Sequence, residues 1–308
     1  MALTRVILDT DIGTDVDDCL ALALLLASPE IELIGITCVY GNVRKRAQIV
    51  QKLLELSGNL AIPIYLGAEQ TLLGIRPIYW PGHEGAGLVA DDSPLATTAP
   101  GHAIDFIIET VLANPGQITI LAIGPLTNIG LALRKEPRIA QLLGGLMIMG
   151  GVVRGPGQFH LPIAEHNIVC DPEAAQIVFS SGAPIQLVPL DVTTQVRIRT
   201  ADVEKIRAAG TPYHTAVADQ VAFYPPFGQR GGSTFLHDPL AAAVLIDPSF
   251  VTMSPYHVAI ETNGRLTSGA TIVSAPSAKT PTTAQIALSV DASRFEEFLV
   301  ERIAKPLG

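Results

Sequence analysis

Residues 7–27 read ILDTDIGTDVDDCLALALLLA, with Asp9, Asp11, Asp15, Asp17 and Asp18 crowded between two apolar runs. The first run, RVILD, reads as a buried strand. The second, VDDCLALALLLAS, reads as a helix whose first turn holds Asp17 and Asp18, where the helix dipole favours negative charge. A chain that crowds like charges where it begins to bury itself needs a reason, and the rest of the sequence supplies one.

Outward from this stretch, Val- and Ile-rich runs alternate with helical patterns. IELIGITCVYGN reads as a strand ending at Gly41-Asn42, and VRKRAQIVQKLLELSG as an amphipathic helix closed by Gly58. IPIYLG reads as a strand and HAIDFIIETVLANPG as a helix. QITILAIGPLTNIGLALRKEP reads as strand, turn and helix. GGLMIMGG and PIQLVPLD are two more strands with the helix DPEAAQIVFSSG between them, and HDPLAAAVLID is a later helix. Strands that are continuous apolar runs indicate a parallel sheet covered on both faces. The expected fold is therefore α/β: a doubly wound, mostly parallel sheet in one domain over residues 1–308. Residues 68–100 read as a long loop, and 210–234 as an irregular, aromatic segment.

Bulk properties narrow the function classes. Of the 308 residues 48% are hydrophobic and 16% charged, which excludes disorder. A net charge of −9 argues against nucleic acid as a partner. Cys19, Cys38 and Cys170 form no CxxC pair, so neither a zinc ribbon nor a redox motif is present, and all three read as core residues. No apolar run approaches the ~18 residues of a membrane span, and MALTRVILDTD has no signal-peptide pattern. A cytoplasmic protein with no membrane partner is expected.

In open parallel sheets, ligands bind beyond the carboxyl ends of the strands. The first strand is followed by the aspartates, the second by Asn42, and ITILAIG by Thr127 and Asn128. LMIMGG leads to Glu165, His166 and Asn167, and IQLVPL to Asp191, Thr193 and Thr194. The uncommon polar residues gather on one edge of the sheet. Carboxylates so close repel one another unless a cation neutralises them, and an all-oxygen set suits Ca²⁺ or Mg²⁺. Alone, Asp17-Asp18 would be an ordinary acidic first turn; Asp9 and Asp11 directly upstream make a shared site the better reading. An EF-hand is excluded because a strand precedes the cluster, and no P-loop or dinucleotide fingerprint follows that strand.

In this order, DTDIGTDVDDCLAL, YGN, LAIGPLTNIGLAL, MIMGG, AEHNIVCDPEAA and HDPLAA resemble the nucleoside hydrolases, the inosine–uridine-preferring ribohydrolases, from about residue 4 to beyond 270. The resemblance implies a bound Ca²⁺ and hydrolysis of the N-glycosidic bond of ribonucleosides, in nucleoside catabolism or salvage. It implies Asp11 as Ca²⁺ ligand and general base, with Asp18, Asp238 and the carbonyl of Thr127 as further ligands. Asp17, Asn42, Glu165, Asn167 and Asp238 would hold the ribose, with Met149 lining its pocket. His83 would lie near the base, and His237 would assist the leaving group. A homo-oligomer, dimer or tetramer, is also implied. Two features depart from the family pattern. Five residues, not three, separate Asp11 from the Asp-Asp pair, adding Asp15; and GPGQFHLPIAE replaces a Gly-Asn loop, with Gln158 as the substitute for the ribose 5′ end. Alternation along an extended AEHN segment points His166 away from the site. Tyr224, Phe227, Gln229 and Arg230 either contact the base or merely pack.

Two other readings compete. DTDIGT fits the D-x-D-x-T of haloacid-dehalogenase-type phosphatases, with Asp9 as nucleophile and Mg²⁺ as metal, but leaves Asn42, Glu165, Asn167 and His237-Asp238 without a role. A nucleoside- or sugar-binding protein that kept the fold is the non-enzymatic alternative.

Overall fold

The computed structural model describes residues 3–90, 93–95, 98–154 and 160–306. The chain begins β1 (Thr4–Thr10), α1 (Asp17–Leu26), β2 (Ile31–Cys38), α2 (Val43–Ser57) and β3 (Ile64–Leu66). There follow α3 (Ala103–Ala113), β4 (Ile118–Ala122), α4 (Thr127–Lys135), α5 (Ile139–Leu142) and β5 (Gly145–Met149). Next come α6 (His166–Cys170), α7 (Pro172–Phe179), β6 (Ile185–Val188), α8 (Leu190–Thr193), β7 (Arg197–Arg199) and α9 (Thr200–Arg207). Then come α10 (Pro212–Phe223), α11 (Pro225–Gln229), β8 (Ser233–Phe235) and α12 (His237–Ile246). The chain closes with β9 (Val251–Ile260), β10 (Thr271–Ser274), β11 (Ala284–Val290) and α13 (Ala292–Ile303).

Among the described residues nine strands form one sheet in the order β10-β9-β11-β6-β5-β4-β1-β2-β3. Pairing is parallel from β3 across to β11, and β9 runs antiparallel between β11 and β10. Alternate residues of β1 feed two cores. Val6 and Leu8 pack with Leu20 of α1, Val50 of α2 and Leu240 of α12; Ile7 packs with Ile107 of α3, Ile129 of α4 and Val178 of α7. Both faces of the strand are thus covered, which is why RVILD is apolar throughout. Helix α1 is buried on all sides, matching its lack of a polar face.

The chain runs outward from β1 to β2 and β3, then returns to place β4 on the other flank of β1. The switch point therefore lies between the ends of β1 and β4, where a doubly wound sheet opens its binding crevice.

The structure corrects the reading of 210–234. Thr211 caps α10 by accepting from the His214 amide, Pro212 stands in its first turn, and Tyr213, Val217, Ala218 and Val221 form its buried stripe. The Thr-Pro pair is a helix start rather than a break. The described part of 68–100 holds no helix or strand, as expected of a long loop. After Asp247, where the sequence reading assigns no element, three strands and a helix complete one end of the sheet. Among the described residues no helix is long and apolar enough to cross a membrane.

Candidate active site

A cavity of about 310 Å³ opens at the carboxyl ends of the central strands. Asp11 reaches it from beyond β1, Ile123 from beyond β4, Met149 from the end of β5 and Leu190 from beyond β6. The opposite wall is built from Tyr79 and His83 of the long loop, Tyr224 and Pro226 at the α10–α11 junction, and His237 and Asp238 at the start of α12.

At its base the first turns of α1 and α12 meet. The Asp238 amide donates to Asp17 Oδ2 at 3.2 Å, and Thr10 donates its hydroxyl to Asp18 Oδ1. Carboxylate oxygens of Asp17, Asp18 and Asp238 lie within 4.8 Å of one another, and all three side chains are buried. Burial first, and repulsion from neighbouring aspartates (Asp11 and Asp15 among them) second, push these carboxyls well above the usual range. Asp11 is buried beside them, and burial raises its pKa as well, against the pull of Arg46. Asp17, Asp18 and Asp238 form a group of buried acids that could hold a metal ion.

On a neighbouring wall Glu165 caps α6. Its Oε1 accepts from the Asn167 amide at 2.7 Å, and its Oε2 from Gly151 at 3.0 Å and Ile168 at 3.2 Å. Asn167 Nδ2 donates to the carbonyls of Ile123 (2.8 Å) and Met149 (3.3 Å), which fixes its amide and turns Oδ1 away from them. His166 also lines the cavity, contrary to the alternation argument, because the segment is the first turn of a helix and not extended. Its ring packs edge-on against Tyr79 at 5.6 Å.

His237 holds Thr193 Oγ1 through Nδ1 at 2.7 Å, leaving Nε2 as its other hydrogen-bonding nitrogen. Burial pushes its pKa down to about 4, so the ring is neutral at physiological pH. His83 bonds the Thr14 carbonyl through Nε2 at 2.9 Å and meets Tyr224 edge-on at 5.8 Å. Asp15 also lines the cavity, beside Tyr224, and its charge helps burial to raise the Tyr224 phenol.

The structure thus brings Asp11, Asp17, Asp18, His83, Met149, Glu165, Asn167, His237 and Asp238 to one cavity. It does not bring Asn42 or Thr127 there. Asn42 is exposed and caps α2, accepting from the Lys45 amide at 3.0 Å. Thr127 opens α4 and donates its hydroxyl to Asp171 at 2.7 Å; Ile123, four residues earlier, takes the place on the cavity wall. Gln158 lies outside the described residues. Asp9, the nucleophile of the phosphatase reading, is fully buried away from the cavity, bonded to Thr37 and Asn128.

Arg46 is the residue that sequence reasoning missed. Fully buried on α2, it donates to the carbonyls of Tyr40 (2.6 Å), Asp11 and Ile12 (3.0 Å) and to Thr14 Oγ1 (3.0 Å). It clamps the aspartate turn from behind. Its only sequence signal is a cation at the inward spacing of an amphipathic helix, between Val43 and Val50.

Comparison with known proteins agrees with this geometry. Residues 6–297 match the family model described as inosine-uridine preferring nucleoside hydrolase. The pyrimidine-specific ribonucleoside hydrolase RihA of Enterobacter sp. (strain 638) is 36% identical, over 97% of each chain. The purine-preferring ribonucleoside hydrolase of Gardnerella vaginalis superposes with a TM-score of 0.87 at 33% identity, over 97% of this chain and 98% of that one. The plant nucleoside hydrolase PpNRh1 gives 0.85 at 31% identity, over 98% and 99%. With these matches spanning both strand and site elements, the chain belongs to the inosine–uridine preferring nucleoside hydrolase family and is a nucleoside hydrolase.

Proposed function

We propose that the chain hydrolyses the N-glycosidic bond of ribonucleosides with Ca²⁺ held in the cavity and with Asp11 as general base. The observation that carries this reading is the buried cluster of Asp17, Asp18 and Asp238 with Asp11 beside it. Carboxylates so placed are costly without a cation, and an all-oxygen donor set fits Ca²⁺. Asp17, Asp18 and Asp238 would hold the ion, with Asp11 adjoining. When bound, the ion supplies a positive charge that engages the vicinal ribose hydroxyls and favours ionised oxygens around it.

The chain's own residues do the rest. Asp11 takes the proton of the attacking water, and Arg46 behind it holds the carboxylate in place. Glu165, Asn167 and Asp238 receive the ribose, and their acidic members stabilise the positive charge that develops on the sugar ring. Met149 gives the sugar an apolar wall. His83 stands on the base side, and His237, oriented by Thr193, presents Nε2 to the departing base. Because the acids recognise hydroxyls, ribose is preferred to 2′-deoxyribose: a missing hydroxyl leaves a buried polar partner unpaired.

The test is release of ribose from inosine, uridine, cytidine and adenosine, before and after treatment with a Ca²⁺ chelator and after Ca²⁺ is restored. Release that stops with the chelator and returns with Ca²⁺ supports the reading and ranks the bases. Release that is indifferent to chelation overturns the metal's role, and no release from any nucleoside overturns the reaction.

A further inference from the structure

A second groove, of about 490 Å³, adjoins the cavity and shares Pro162, Leu190 and His237 with it. Its outer part is made by the β7–β8 hairpin, in which Arg197 pairs directly opposite Phe235. The guanidinium of Arg197 lies 4.0 Å from the Phe235 ring centre and that of Arg230 5.3 Å, so two cations share one ring. Stacking of this kind orders a guanidinium and leaves its N–H edge free.

Neither cation has a carboxylate partner among the described residues. Arg197 donates to Ser233 Oγ at 3.4 Å and Arg230 to Thr234 Oγ1 at 3.3 Å, both long contacts. Next to them, Glu296 pairs with the Arg199 guanidinium at 2.7 Å and accepts from the Arg197 backbone amide at 2.7 Å, leaving the Arg197 guanidinium itself without a carboxylate. In a chain with 29 acidic and 20 basic residues, two adjacent guanidiniums with no carboxylate on their N–H groups are suited to an anion from outside. Gln195, whose amide donates to the Asp191 carbonyl at 2.7 Å, and His160 line the same groove.

We propose that Arg197 and Arg230 form an oxyanion subsite through which the cavity accepts ribonucleosides carrying an anionic group. The group is a phosphate on the ribose 5′ carbon or a carboxylate on the base; both offer planar or tetrahedral oxygens to a guanidinium fork. The substrate part of this proposal rests on the hydrolase reading, whereas the anion site does not. The reaction is unchanged: water adds oxygen to C1′, the C1′–N bond breaks, and the base leaves with a proton. With a 5′-phosphate the products are ribose 5-phosphate and free base, and the phosphate ester stays intact.

The experiment uses the full chain loaded with Ca²⁺. Base release is measured from uridine, uridine 5′-monophosphate and uridine-6-carboxylate, and the KM of each is compared in wild type, Arg197→Gln, Arg197→Lys and Arg230→Gln. The expected result is turnover of at least one anionic compound. Its KM rises about tenfold or more in Arg197→Gln and Arg230→Gln. In Arg197→Gln the kinetics of uridine hold, and Arg197→Lys restores part of the loss. Response to the monophosphate places the anion at the 5′ end; response to the carboxylate places it on the base. The proposal is overturned if neither compound is hydrolysed nor competes with uridine, or if Arg197→Gln raises the KM of uridine by the same factor. If no nucleoside is hydrolysed, calorimetry with ribose 5-phosphate against ribose and with orotate against uracil decides the anion site by itself. Tighter binding of either anion than of its neutral counterpart, lost in Arg197→Gln with the melting temperature kept, supports it; equal binding within both pairs overturns it.

Discussion

The guanidinium of Arg46 lies 3.7 Å from the Asp11 carboxylate, with the arginine side chain fully buried. The acidic turn is therefore backed by a cation that belongs to the protein itself, on the side away from the cavity. Arg46 also satisfies carbonyls at Tyr40, Asp11 and Ile12, so it fixes the backbone that carries Asp11 as well as the charge. Replacing it by Ala should strip all of these acceptors and cost about 3–5 kcal/mol, the range for breaking a buried ion pair by removing one partner. Lys should not restore the loss, because a single ammonium cannot reach acceptors spread around a fork. Denaturant unfolding of Arg46→Ala and Arg46→Lys checks both.

The region behind Asp11 is equally tight on its other side. A Cβ built on Gly124 would stand 2.8 Å from Asp11 Oδ1 and 3.0 Å from its amide nitrogen. Gly124→Ala should displace the carboxylate and lower kcat about 10²-fold, the scale of a 1 Å misplacement, with the protein still folded. Steady-state kinetics beside a circular dichroism spectrum would show it; wild-type kcat in the variant would mean that Asp11 tolerates the shift.

Asp9 illustrates the opposite case, an acid that is structural. Its Oδ1 accepts from Thr37 and from Asn128 Nδ2 (2.8 Å), and Asn128 in turn accepts from the Ala68 amide at 2.9 Å. Asp9 thereby ties β1 to β2, to α4 and to the start of the long loop. Asp9→Ala leaves buried donors unpaired and should cost about 1–3 kcal/mol in urea unfolding. Asp9→Asn keeps the acceptor and should cost little.

Much of this was legible in the sequence, and the failures have physical causes. Apolar strand runs and the aspartate turn gave the parallel sheet and its binding edge because burial on both faces leaves no other pattern. Asn42 is absent from the cavity lining because a residue after a strand can serve the ligand or cap the next helix, and only the backbone path decides; here it caps α2. Thr127 and Asn128 follow a strand end as the pattern required, yet their side chains bond Asp171 and Asp9. His166 was turned the wrong way because AEHN has no local mark of a helix start beyond Glu165 itself, which caps α6. Arg46 stayed hidden because a basic residue on an amphipathic helix ordinarily faces solvent.

Far from the site, Glu30 in the turn before β2 receives Arg302 of α13 at 2.7 and 3.1 Å. These hydrogen bonds hold the Glu30 carboxyl below its ordinary value. A depressed acid contributes stability that is present above its unfolded pKa of about 4.3 and is lost as pH falls through the folded value. The pair is partly exposed, so its contribution should be about 0.2–1 kcal/mol. Glu30→Gln should therefore be slightly less stable than wild type at pH 7, with the difference closing in acid. Paired thermal melts across pH test it.

Two aspartates two positions apart are proposed to do different work: Asp11 acts on the attacking water and Asp9 holds the sheet together. Ribose release by Asp9→Asn and Asp11→Asn, measured side by side with Ca²⁺ present, tests this most directly. Asp11→Asn should fall by about 10²–10⁴-fold, the scale of a lost general base, while Asp9→Asn stays near wild type. Near-normal turnover in Asp11→Asn, or a collapse confined to Asp9→Asn, would contradict it.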